Sequence, residues 1–99
     1  MSEKYIKPSR DIAARMMADE MVIMAVKDSR VFSLNPTASA IWSAADGSTP
    51  LREIVANKVV TEFEVDPDTA YRDALELVEE LAKEGILLLA DHPIITEPA

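Results

Sequence analysis

One stretch limits what this chain can fold into: Leu34-Asn35-Pro36-Thr37-Ala38-Ser39-Ala40-Ile41-Trp42-Ser43-Ala44-Ala45-Asp46-Gly47. It reads as the end of a strand, a short helix marked at both ends, and a stop. Asn35 suits the N-cap, because its side-chain oxygen can accept an otherwise unpaired N–H of the first turn. Pro36 suits the first helical position, where the missing N–H costs nothing. Gly47 can take the left-handed conformation that closes a helix. Ala38, Ile41, Trp42 and Ala45 recur between these marks at helical spacing and form one apolar face. Sequence before this helix has strand character, and sequence after it has helix character.

Residues 1–10, with Lys4, Lys7, Pro8 and Arg10, have little periodicity and are expected to be a flexible lead-in. Ile12 to Met17 and Met21 to Val26 are short apolar runs broken by Ala18-Asp19-Glu20, the pattern of a hairpin. Lys27-Asp28-Ser29-Arg30 is a second turn, and Val31-Phe32-Ser33-Leu34 a third strand, with Val31 and Ser33 on one face and Phe32 and Leu34 on the other. Beyond Gly47, Ser48 or Thr49 can cap a second helix with Pro50 in its first turn and Leu51, Ile54, Val55, Val59 and Phe63 on one side. Asp66-Pro67-Asp68 opens a third helix that reaches about Glu84 and ends at Gly85. Ile86 to Leu89 form a short apolar segment, and residues 91–99 are expected to be a tail. These elements predict an α+β, winged-helix-like domain over residues 11–90, a three-stranded antiparallel sheet followed by a three-helix bundle.

The chemistry this chain lacks narrows its function. It has no cysteine, a single histidine in the expected tail, and glycine only at positions 47 and 85. Thiolate nucleophiles, a converging metal site and a phosphate-cradling loop are therefore not expected, nor is any cofactor. No arrangement for nucleophilic catalysis can be built around a tail histidine, so a non-catalytic role is expected. No apolar run approaches the ~20 residues that span a bilayer, and the N-terminus lacks signal-peptide character, so a cytoplasmic, membrane-free protein is expected. The net charge of −8 falls wholly in residues 48–99, which carry twelve acidic and four basic side chains. The winged-helix plan often binds DNA through its last helix, but here Asp66 to Glu84 holds seven acidic residues against Arg72 and Lys83. That is the wrong sign for a phosphate backbone, so no nucleic-acid partner is expected.

The third helix carries two apolar stripes. Ala70, Ala74, Leu77 and Leu81 form one, and Tyr71, Leu75, Val78 and Ala82 a neighbouring one. The second stripe either widens the core contact or lines a groove beside the sheet where an apolar peptide can lie, flanked by acidic residues such as Glu79. The middle strand, Met21 to Val26, is apolar on both faces. Helices and termini can cover both sides, or one face can dock a partner or a second copy of the chain as a homodimer.

Leu34-Asn35 with Thr37-Ala38, then Ile41-Trp42, Asp46-Gly47, Glu53-Ile54, Val78, Leu81 and Gly85-Ile86-Leu87 occur in an order and spacing that resembles the PqqD family, over Val31 to Leu88. The resemblance implies a peptide-recognition module of three strands and three helices that binds the leader of a ribosomally made precursor peptide. It implies that the leader adds as a strand beside Val31, Phe32, Ser33 and Leu34 and lies against the third helix, with Tyr71, Leu75, Val78 and Ala82 as wall and Glu79 at the rim. It also implies delivery to a modifying enzyme, in the quinone pathway a radical S-adenosylmethionine enzyme. Trp42 after Ile41 is more similar to relatives that serve lasso-type or other modified peptides. A self-associating structural or regulatory protein, dimerising through its sheet, is the alternative.

Overall fold

The computed structural model describes residues 3–27 and 29–94. Its elements are β1 (Tyr5–Pro8), β2 (Ile12–Met17), β3 (Glu20–Ala25), β4 (Arg30–Leu34), α1 (Pro36–Ser43), α2 (51–63), α3 (Pro67–Lys83) and β5 (Leu87–Ala90). The fold is α+β, with a three-stranded antiparallel sheet in the order β2-β3-β4 and three helices. β3 pairs on both sides, with Met21 opposite Met16 and Leu34, and Ile23 opposite Ala14 and Phe32. β4 therefore lies at an edge of the sheet.

The marked helix forms as its sequence demands. Asn35 Oδ1 accepts the Ala38 N–H at 2.8 Å, and Pro36 occupies the first turn. Ala38, Ile41 and Trp42 are buried. Its end differs from expectation: the helix stops at Ser43, and Gly47 lies beyond it. Gly47 (φ +79°) instead joins the two ends of the chain, donating its N–H to the Ile6 carbonyl and accepting the Ile94 N–H on its own carbonyl. A Cβ there would come within 2.5 Å of the Ile94 carbonyl oxygen, so close approach demands glycine.

The start of α2 is also held differently. Neither Ser48 nor Thr49 caps it; the Asp46 carboxylate accepts the N–H groups of Thr49 (2.8 Å) and Ser48 (2.9 Å) and orders the turn before Pro50. These bonds hold Asp46 below the usual carboxylate range. Within α2 the turn Ala56–Val60 is π-helical, with Thr61 Oγ1 donating to the Ala56 carbonyl. Leu51, Ile54, Val55 and Val59 are buried, whereas Phe63 at the end is 41% exposed. α3 begins with Asp66 accepting the Thr69 N–H at 3.0 Å and Pro67 in its first turn. It closes on Gly85 (φ +83°), with the Gly85 and Ile86 N–H groups donated to Ala82 and Leu81. This double closure leaves Ile86 fully buried.

The largest correction concerns the expected lead-in. Tyr5–Pro8 is a strand, paired antiparallel with β5 so that Ile6 faces Leu89 and Pro8 faces Leu87. Ile6 is fully buried. The segment is ordered by that one apolar residue and by a two-stranded ladder whose partner lies at the far end of the sequence, a pairing with no local signature. Of the expected tail, Ile94 bonds Gly47, while residues 95–99 lie outside the described residues, as does Asp28 of the second turn.

Candidate functional site

The open edge of β4 is built by a buried serine. Ser39 on α1, 1% exposed, accepts the Met21 N–H at 2.7 Å and donates to the Leu34 carbonyl at 3.0 Å. It stands between the last residue of β4 and its partner on β3, so the Leu34 backbone points inward. Backbone groups alternate sides along a strand. Those of Phe32 and Arg30 therefore also point to β3, and those of Val31 and Ser33 point to the open edge. The side chains sort the same way by face: Leu34 is buried, Phe32 is half-buried against the core, and Val31 (57% exposed) and Ser33 face out.

α3 runs alongside this edge and antiparallel to it. At one end Arg30 reaches Glu84, its guanidinium 3.3–3.4 Å from the carboxylate and 3.0 Å from the backbone carbonyl. The same guanidinium lies 5.3 Å from the centre of the Phe32 ring, a cation–π contact. At the other end Asn35, just past β4, and Asp73 and Leu77 of α3 line one cavity. The side of α3 turned to the β4 edge therefore carries Asp73, Leu77 and Glu84, at helical positions i, i+4 and i+11.

The expected wall lies on a different side. Tyr71 sits under the Arg52 guanidinium of α2, 4.1 Å from ring centre to cation. Lys4, just before β1, is ion-paired with Asp91 and lies in the field of Tyr71 and Glu79. Leu75 stands between Tyr71 and Glu79 on the i, i+4 row, so this flank faces the β1–β5 ribbon and the start of α2. Val78 is fully buried, and Leu75 and Ala82 are half-buried. The structure thus brings Val31, Phe32, Ser33 and Leu34 together as one edge and sets Tyr71, Leu75, Glu79 and Ala82 apart from it. Sequence reasoning assigned Leu77 to the other stripe and gave no role to Ser39 or Arg30. Helical periodicity defines stripes, but which stripe meets which strand depends on the ribbon that the lead-in forms.

The family model for coenzyme PQQ synthesis protein D (PqqD) matches residues 20–87, the segment holding β3, β4, all three helices and the start of β5. Among solved structures, TbiB1, in complex with the TbiA(beta) leader peptide, is 28% identical with a TM-score of 0.74, over 82% of this chain and 93% of that one. Lasso peptide synthetase B1, complexed with the leader peptide, is 23% identical with a TM-score of 0.65, over 88% of this chain and 99% of that one. The second likeness is one of fold. No curated protein matches the chain.

Proposed function

We propose that this chain, which belongs to the PqqD family, is a non-catalytic adaptor that binds the leader of a ribosomally made precursor peptide and presents it to a modifying enzyme. The observation that carries this reading is the backbone of Val31 and Ser33, which has no strand partner among the described residues, on a sheet edge flanked by α3. An extended peptide can satisfy those N–H and C=O groups by adding as a fourth strand, with side-chain selection from the helix opposite. The likeness to TbiB1, itself a leader-peptide complex, supports the same reading. On the strand side the binding residues are Val31, Phe32, Ser33 and Leu34. On the helix side Leu77, Asp73 and Glu84 take the place of the wall expected from Tyr71, Leu75, Val78, Glu79 and Ala82. The acidic flank would steer a basic leader and raise the association rate more than the final affinity.

The arrangement reads as winged-helix-like over residues 11–90, with β1 added from the segment before it. The charge of α3 argues against nucleic acid as partner. A cytoplasmic adaptor of a radical S-adenosylmethionine enzyme, or of the enzymes of lasso-type peptides, fits the family. Self-association rests on the outer sheet face, where Met17, Met24 and Val31 are exposed. Five residues by three strands make a face only about 17 Å by 14 Å. That falls well short of the roughly 800 Å² per partner of a stable interface.

The test is calorimetric titration with the leader half of a short precursor encoded beside this chain's gene. Saturable binding is expected. Ser33→Pro removes an N–H that faces the open edge and no bond of the β3–β4 ladder, so the fold should persist while binding falls at least about tenfold. Undiminished binding by a folded Ser33→Pro would show that the peptide does not use this edge.

A further inference from the structure

We infer that the open edge of β2 is a self-recognition surface, where two copies of this chain pair β2 with β2 antiparallel about a twofold axis and join their sheets into one. β2 is the edge opposite β4 and has no strand partner beyond β3 among the described residues. Two hydrogen bonds fix which of its backbone groups are open. Val26 donates its N–H to the Asp11 carbonyl, so Asp11, Ala13, Arg15 and Met17 turn their backbone to β3. Met21 on β3 donates its N–H to Ser39, on the β4 side, so its β2 neighbour Met16 turns its own backbone the other way. Ile12, Ala14 and Met16 therefore present N–H and C=O groups to the open edge.

Proteins usually blunt such an edge with proline, lysine, a bulge or a very short strand. β2 has six residues in unbroken register with β3, and Arg15 is its only charged one. Every residue from Ala13 to Met17 is exposed. The exposure includes the face that is core on the neighbouring strand: Ala14 and Met16 lie opposite Ile23 and Met21, both buried, yet Met16 is 46% exposed. The helices cover β3 and stop short of β2. Beside Met16 this leaves a groove, lined from α1 and α2 by Ala40, Lys58 and Phe63.

Three features single out a second copy as occupant. A lone peptide strand here would meet no helix placed as α3 is beside β4, whereas a second copy brings the rest of its own sheet behind the added strand. The strand is also self-complementary. About an axis at Ala14, Ala14 faces Ala14 and Ile12 faces Met16, and each of these pairs exchanges both N–H···O bonds. Arg15 then faces Ala13, with no like charges directly opposite, and Ile12 of the second copy comes to lie next to Met16 at the groove. Charge allows the approach, because the −8 excess lies in residues 48–99 and β2 belongs to the half whose charges balance. A ladder of this length is a small interface, so the dimer is concentration-dependent, in the micromolar range and above. Both β4 edges stay free at the far ends of the joined sheet. Pairing therefore needs no peptide and stands apart from the leader-binding reading.

The experiment is sedimentation of the full chain from about 1 µM to about 1 mM, with folding checked by circular dichroism. A monomer–dimer equilibrium is expected in the wild type. Ala14→Lys and Ala14→Glu each set like charges against each other at the axis and should weaken dimerisation at least about tenfold, while an equal mixture of the two should restore it. Recovery in the mixture also shows that both variants fold. The chain has no cysteine, so Ala14→Cys places a single thiol opposite its own copy. The Cα atoms of such a pair lie about 5.5 Å apart, within disulfide reach. Ala14→Cys should cross-link on mild oxidation far faster than Met17→Cys, which the same register keeps away from its copy. Saturating leader peptide should leave the dimer intact. A wild type that stays monomeric at about 1 mM overturns the proposal. So does a dimer that neither charged variant weakens, a mixture that does not recover, or cross-linking as fast through position 17. A leader that dissociates the dimer would place peptide and second copy on one edge and overturn the assignment of β2.

Discussion

The two flanks of α3 look alike in sequence and meet different fates. Each has a leucine beside acidic residues, Leu77 with Asp73 and Glu84 on one side and Leu75 with Glu79, next to Tyr71, on the other. On the second flank Arg52 lies over Tyr71, and Lys4 sits close by with its ion pair to Asp91. On the first, α3 is tied to β4 at one end through Arg30 and opens into a cavity at the other. A helix buried on one face has two shoulders. Whichever shoulder the rest of the chain leaves uncovered becomes the place where a partner can lie.

The sharpest way to break this comparison is a matched pair of charges. Leu77→Arg places a guanidinium in the cleft beside β4 and should weaken leader binding by about a hundredfold, as expected of a residue central to a small interface. Leu75→Arg puts the same group on the covered shoulder. It should leave affinity within about twofold while lowering the thermal midpoint, because a half-buried leucine is lost from the ribbon contact. Titration and thermal melts of both variants check this. The reverse pattern would return the binding wall to Tyr71, Leu75 and Ala82.

A second prediction attacks what covers the other shoulder. Ile6 is fully buried and belongs to a strand of only four residues. Ile6→Ala should cost about 2–5 kcal/mol in a urea titration, by lost transfer free energy and the cavity left behind. Leader affinity, measured where the variant remains folded, should be unchanged. Loss of affinity without loss of stability would mean that the ribbon contributes to binding directly.

The contrast also shows how far local sequence reaches. Asn35 and Pro36 announce α1, Asp66 and Pro67 announce α3, and Gly85 ends it; each works through bonds within four residues, so its meaning is carried by its neighbours. The alternation in Val31-Phe32-Ser33-Leu34 likewise predicts the two faces of β4. What local pattern does not carry is pairing over long separations. Tyr5–Pro8 shows no periodicity of its own, yet it forms a strand with Leu87–Ala90. Missing that strand misassigns the shoulder, since Leu75 and Leu77 differ only in what the ribbon covers. Ser39 is invisible for a related reason. A serine inside an alanine-rich helix reads as neutral, and its burial between Leu34 and Met21 exists only once sheet and helix are packed.

Asn35 offers a smaller effect that bears on the cleft alone. Its side chain caps α1, and it also lines the cavity that continues the β4 edge. Asn35→Ala should cost about 1 kcal/mol of stability, the usual loss for an N-cap, and Asn35→Asp should restore the cap. If the residue acts only through the cap, Asn35→Asp will bind the leader as the wild type does. Weaker binding by a fully stable Asn35→Asp would place the amide itself in the site.

The smallest expected effect is that of pH, and it separates the turn between α1 and α2 from the shoulders of α3. Asp46 is held below the usual carboxylate range by the Thr49 and Ser48 N–H groups, and Asp66 by the Thr69 N–H. A carboxylate whose folded value is depressed adds stability that is fully present above its unfolded value, near 3.9, and is lost as pH falls through the folded value. Stability should therefore be flat on this account from neutral pH down to about 5 and decline below about 4. Asp46→Asn and Asp66→Asn should each be less stable than the wild type at pH 7 and approach it at pH 3, as read by chemical denaturation. The two turns involve neither shoulder, so leader affinity above pH 5 should be the same in both variants. An affinity that followed Asp66→Asn would mean that the start of α3 moves when its cap is lost, and with it the wall that Asp73 and Leu77 present to β4.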